Sequence, residues 1–119
     1  MHKYNLSDDG KIYLKMVKDK CLYSSINLRN LRSCNAYARL SDKRYIQIIG
    51  FIVDSASKDL TICNFIEVKT HKYAKFMKKV IKINSSESCV YTENIKNICV
   101  FLKVNNSSYL CPLPNLLHY

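Results

Sequence analysis

The sequence predicts an α+β fold: a small β-rich sheet or open barrel with one basic amphipathic helix and a C-terminal β-hairpin extension. Three observations lead there. Residues 45–53 read Tyr-Ile-Gln-Ile-Ile-Gly-Phe-Ile-Val, an apolar run of β-branched and aromatic side chains that suits a buried strand. Residues 69–82 set Tyr73, Phe76, Met77, Val80 and Ile81 at helical spacing among six lysines. Residues 98–111 hold two short apolar runs on either side of Asn105-Asn106-Ser107-Ser108, a hairpin signal.

Taken in order, Asp8-Asp9-Gly10 marks a turn, since glycine tolerates the positive φ of tight turns. Residues 11–17 alternate as a strand, with Ile12, Leu14 and Met16 on one face and Lys11, Tyr13, Lys15 and Val17 on the other. Residues 18–33 are polar and read as a loop with a helical turn. Ala36-Tyr37-Ala38-Arg39-Leu40 is a short strand, and Ser41-Asp42-Lys43-Arg44 a turn. In the central strand Ile46, Ile48, Phe51 and Ile52 are expected at the heart of the core, and Gly50 where backbone or a partner approaches closely. Ser57 and Asp59 are N-cap candidates for a helix from Leu60, although Ile62, Phe65, Ile66 and Val68 fit a strand equally. Cys89-Val90-Tyr91 is strand-like, and Pro112 and Pro114 end the last hairpin.

Charge divides the chain. Residues 1–82 hold 17 of the 19 Lys and Arg against 7 acids, while residues 83–119 hold two of each sign. Two regions are therefore expected: a basic β-rich domain with the helix over 1–82, and a neutral, apolar extension over 83–119 that packs on the same domain or on a protein neighbour. Asn, Ile, Lys and Tyr, all with A/T-rich codons, supply 47 of the 119 residues, so the clustering of charge and not its total marks a binding surface. A polyanion, most simply nucleic-acid phosphate, is the partner such a surface fits. The candidate contacts are Lys15, Lys18, Lys20, Arg29, Arg32, Arg39, Lys43 and Arg44, at loop ends flanking strands, with Lys72, Lys75 and Lys79 on the expected helix.

Other classes find little support. The six cysteines show no Cys-x-x-Cys pair and no histidine at finger spacing, so free thiols are expected, with a zinc site from distant cysteines the remaining alternative. His2, His71 and His118 are scattered, and no phosphate loop, Gly-x-Ser-x-Gly or carboxylate pair is present. The expectation is a protein that is not an enzyme, with no cofactor, no metal and no small-molecule substrate. No signal peptide or membrane-length apolar run is present, so a cytoplasmic location is expected, and the Asn-x-Ser triplets at Asn5, Asn84, Asn105 and Asn106 carry no meaning there.

Several motifs occur in the order of a known family. Gly10 is followed by nine residues and then Lys20-Cys21, with Ser24 and Ser25 behind. Arg32-Ser33-Cys34-Asn35-Ala36 precedes a strand, Gly50-Phe51-Ile52 lies within an apolar one, and Lys58-Asp59-Leu60-Thr61-Ile62 follows at matching distance. In this order, residues 7–67 resemble the eukaryotic small-ribosomal-subunit protein twenty-one family. In that family the last of these segments opens a helix. The chain departs from the family at Lys18-Asp19, at Ser25-Ile26 and in a shortened turn at 41–44. The resemblance implies a ribosomal-protein-like basic domain and a structural constituent of the small (40S) subunit, cytoplasmic and ribosome-bound. It would hold rRNA phosphates beside neighbouring ribosomal proteins, universal small-subunit protein two among them, with a role in subunit assembly.

The alternative is a free single-stranded nucleic-acid-binding module of small β-barrel type, for which nine Tyr and four Phe supply stacking candidates. Tyr13, Tyr37, Tyr45, Tyr73, Tyr91 and Tyr109 each lie in an apolar pattern and read first as core. A third reading, residues 69–82 as a membrane-surface helix, is weaker because the apolar stripe is narrow and lacks Trp.

Overall fold

A computed structural model describes residues 11–27, 36–53, 58–72 and 74–114. Its strands are β1 (Lys11–Tyr13), β2 (Lys15–Lys18), β3 (Cys21–Ser24), β4 (Tyr37–Leu40), β5 (Tyr45–Val53), β6 (Leu60–Thr70), β7 (Lys78–Ile83), β8 (Ser88–Tyr91), β9 (Ile95–Val104) and β10 (Ser107–Pro112). Every pairing is antiparallel, and β4, β5, β6, β7, β10 and β9 pair in that order, with β9 returning to β4. Six strands thus close a barrel, which removes the open edges that a flat sheet would expose.

Local chemistry sets the hairpins. In the β4–β5 turn, Lys43 sits at φ 72° and the Asp42 carboxylate accepts from the Arg44 N–H at 3.1 Å and its Nε at 2.8 Å. The register of β5 shifts between Ile48 and Gly50, a bulge that bends the strand. Its first half pairs with β4 and its second half with β1. At Gly50 a Cβ would lie 2.8 Å from the Ile12 Cγ2 and 3.4 Å from the Tyr13 carbonyl, so β1 approaches where only glycine leaves room. Beside β6, β7 and β8 form one interrupted strand: residues 84–87 loop out opposite Asn64 and Phe65, and the Asn84 N–H donates to the Phe65 carbonyl at 2.9 Å.

Alternation along the strands produces two apolar layers. All six barrel strands contribute to the interior: Tyr37, Tyr45, Ile66, Cys99 and Leu110, with Val68, Val80, Ile83 and Phe101 packed on them. Tyr37 and Phe101 stack at 4.6 Å. The opposite faces of β4 and β5 carry Ala38, Leu40, Ile46 and Ile48, which join Phe51, Cys63 and Ile95 beneath Tyr23, Met16 and Cys21 of the β2–β3 hairpin. Both faces of β5 are covered, which is why its sequence is a nearly unbroken apolar run. The hairpin is tied down by the Ile26 N–H to the Ile48 carbonyl at 2.8 Å and by the Ser25 hydroxyl to the Ile49 carbonyl.

The α+β expectation is overturned. Among the described residues no amphipathic helix exists, and the helical structure is a single 3-10 turn, Thr92–Asn94. Residues 69–82 are instead the end of β6, a loop and β7; Tyr73 lies outside the described residues. Hydrogen bonding to β6 on one side and β10 on the other decides the matter, because a strand paired along both edges satisfies its backbone without helical turns. Residues 60–70 are likewise strand, and the expected loop over 18–33 contains β3. Residues 11–17 bend at Leu14 into two strands serving different sheets.

Candidate nucleic-acid interface

Inward-facing residues at the ends of several strands rim the mouth of a barrel. At the end that carries the β4–β5 turn and the β6–β7 loop, Arg39, Tyr45, Lys78, Asn97 and Pro112 form this rim. With Lys75 and Phe76 of the loop and Leu113 and Pro114 beyond β10, they enclose a cleft of about 390 Å³. Buried Tyr45 and Leu110 belong to the barrel core beneath it.

Arg39 is half-buried and held in a fixed pose. Its Nε and Nη2 donate to the Asn97 Oδ1 at 3.2 and 2.9 Å, and the Asn97 Nδ2 donates to the Leu113 carbonyl at 3.0 Å. A neutral amide thus orients the guanidinium, and among the described residues no carboxylate bonds to it. Burial raises the pKa of the Tyr45 hydroxyl, and the neighbouring Cys99 adds to that, while Arg39 pulls it the other way. Lys78 donates to the Thr70 Oγ1 at 3.3 Å. Phe76 is 65% exposed, and its ring lines the cleft together with Lys75 and Lys78.

Further cations lie at the same end of the barrel, outside the residues that line the cleft. Lys69 and Lys79 are directly opposed on β6 and β7, a like-charge pair that costs stability unless an anion lies over it. Lys43 and Arg44 occupy the β4–β5 turn, where Arg44 pairs with Asp42 at 2.8 Å and lies over the Phe65 ring at 4.6 Å. The Arg44 N–H, followed by its guanidinium, holds the Asp42 carboxyl below its ordinary pKa. Glu67 is opposite Lys82, farther down the same strand pair.

Of the residues expected at an interface, Arg39, Lys43, Arg44, Lys72, Lys75 and Lys79 therefore gather at one end of the barrel. Lys15, Lys18 and Lys20 lie on the separate β2–β3 hairpin, and Lys18 is committed to the Ile95 carbonyl at 2.7 Å and the Asp19 carboxylate at 3.0 Å. Arg29 and Arg32 lie outside the described residues. Lys72, Lys75 and Lys79 stand on a loop and a strand, not on a helix.

Sequence reasoning missed Phe76, assigned to a buried stripe, and left out Lys78 and Asn97. A period of two over 78–83 would have placed Lys78 on the same side as Val80, facing inward. A second groove, of about 440 Å³ between β2 and the 3-10 turn, mixes Lys18 and Lys58 with Asp59 and Glu93; there Lys58 pairs with Glu93 at 3.0 Å. Of these two grooves, the cleft at the barrel mouth has cations and no acid among its described lining residues.

Among the described residues no group of His, Cys, Asp and Glu is placed to hold a metal ion, and no helix is long and apolar enough to cross a membrane. Cys63 and Cys99 are buried thiols, and Cys21, Cys89 and Cys111 are half-buried ones. Comparison with known proteins finds no matching family model, curated protein or solved structure.

Proposed function

We propose that this protein is a single-stranded nucleic-acid-binding β-barrel that works through its basic mouth. One observation carries the reading: Arg39, Lys75 and Lys78 converge on a cleft with no acid among its described lining residues, beside the exposed ring of Phe76. Cations track a phosphate backbone, and an exposed aromatic offers a face for an unstacked base. A duplex keeps its bases stacked, so the ring favours a single strand.

The ribosomal form of this reading is narrower. Gly50-Phe51-Ile52 does lie in strand β5, but residues 58–62, which open a helix in the family resembled, lead into strand β6 here. The proposal therefore rests on the barrel mouth alone. Sedimentation of native protein separates the two forms: travel with the small subunit supports a ribosomal role, and slow sedimentation supports a free module.

The direct test is fluorescence anisotropy with a labelled single-stranded RNA across a salt series. Each phosphate contact on a single strand contributes a slope of about −0.7 in log affinity against log salt. Lys75→Gln is expected to flatten that slope. Phe76→Ala is expected to lower affinity by about 1–3 kcal/mol while leaving the slope in place. Wild-type behaviour in both variants would remove the basis of the proposal.

A further inference from the structure

We propose that the cleft at the barrel mouth receives the phosphomonoester end of a strand, so that the protein holds nucleic-acid termini and not strand interiors. The inference rests on the nucleic-acid reading above and names the part of the molecule that is recognised.

Burying a cation without a counter-ion is costly. Arg39 is half-buried, fixed by the amide of Asn97, and meets no carboxylate among the described residues. An anion that arrives from outside completes the site. Lys75 and Lys78 bring the converging charge to three. An internal phosphodiester carries one negative charge, whereas a terminal phosphate carries about −1.5 to −2 at neutral pH and presents three acceptor oxygens. With its Nε and one Nη2 N–H held by Asn97, the guanidinium keeps the Nη1–Nη2 edge to donate to two of those oxygens.

Shape agrees with charge. At about 390 Å³ the cleft lies near the small end of ligand pockets, which run from about 300 to 1,000 Å³, enough for a single nucleotide. The packed interior, with Tyr37, Tyr45 and Leu110 buried, prevents a strand from threading through the barrel. The cleft is therefore floored by packed side chains, a shape that suits an end. Phe76 at the rim then offers its ring to the terminal base.

The test uses one eight-nucleotide RNA in three versions: 5′-phosphorylated, 3′-phosphorylated, and with both ends hydroxyl, the dye placed away from the phosphate. One phosphorylated version is expected to bind at least about tenfold tighter than the hydroxyl form, the scale of hydrogen bonds to a charged group. Arg39→Gln and Lys78→Gln are expected to bring that ratio close to one, while Lys103→Gln, near the opposite end of the barrel, leaves it unchanged. Thermal melts confirm folding, and Lys78→Gln carries the test if Arg39→Gln unfolds. Equal, measurable affinity for all three strands, or a preference that survives both cleft variants, overturns the terminal claim and leaves the nucleic-acid reading standing. A nucleoside monophosphate that displaces the strand at equal concentration assigns the site to free nucleotides and also overturns the claim. Failure of every strand to bind overturns both readings.

Discussion

Truncating Leu110 to Ala tests whether the neutral C-terminal stretch is built into the barrel. Leu110 sits in β10, is fully buried, and packs in the interior with Tyr37, Tyr45, Ile66 and Cys99. Removing a buried leucine side chain costs its transfer free energy plus the cavity left behind, about 2–5 kcal/mol. Domains of this size have only about 5–15 kcal/mol in total. A urea m-value of about 2 kcal/mol/M, mid-range for small proteins, converts that loss into a midpoint lowered by roughly 1–2.5 M with m unchanged. The matching control is Leu102→Ala on β9, across from Tyr109, where the side chain is 39% exposed and the expected loss is within about 1 kcal/mol. The assay is urea denaturation followed by circular dichroism. A Leu110→Ala midpoint indistinguishable from wild type would mean that β10 does not close the barrel.

Three further outcomes follow from the same coordinates. Gly50→Val places a Cβ 2.8 Å from the Ile12 Cγ2, so the Ile12 side chain must give way, and a loss of about 1–3 kcal/mol in the same urea assay is expected; full stability would refute the close approach. Lys79→Glu turns the Lys69–Lys79 opposition into an attractive pair, which should raise the thermal midpoint by the equivalent of about 0.2–1 kcal/mol while weakening RNA binding. If stability and binding fall together, the pair is not a surface held for an anion. Burial pushes the Cys63 and Cys99 thiols, and the Tyr23 hydroxyl, up to about 12. The folded state therefore keeps these protons after the unfolded chain has lost its own, from about pH 9 for the thiols and about pH 10 for Tyr23. Stability should be level below about pH 9 and fall by up to about 1.4 kcal/mol per pH unit per group toward pH 12. Urea midpoints that stay flat from pH 8 to 11 would show those groups to be solvated.

The strands that read clearly in the sequence are those whose side chains alone specify them. Residues 45–53 hold so many β-branched and aromatic residues that no other element suits them, and the Asn-rich turn at 105–106 joins two apolar runs. The β2–β3 hairpin was hidden because its turn is Asp19-Lys20, both at positive φ, without the Asn-Gly pair that usually marks such a turn. Residues 69–82 misled for a different reason. Phe76, Met77, Val80 and Ile81 fall at helical spacing only because a loop runs into a strand, and the pairing that fixes β7 comes from β6 and from β10, about thirty residues downstream. Long-range pairing of that kind leaves no local trace. Arg39 and Lys75 were identifiable as cations, but their convergence was not, since it depends on closure of the barrel and on Asn97 to aim the guanidinium.

The central claim is that nucleic acid binds at the mouth of the barrel, and amide mapping tests it most directly. In a ¹H–¹⁵N correlation titration of labelled protein with an unlabelled single-stranded RNA, the largest shifts are expected at Arg39, Lys75, Phe76, Lys78 and Asn97. The β2–β3 hairpin and the β9–β10 turn are expected to stay still. Shifts centred on Lys15, Lys20 or Lys103, with the mouth residues unmoved, would contradict the account.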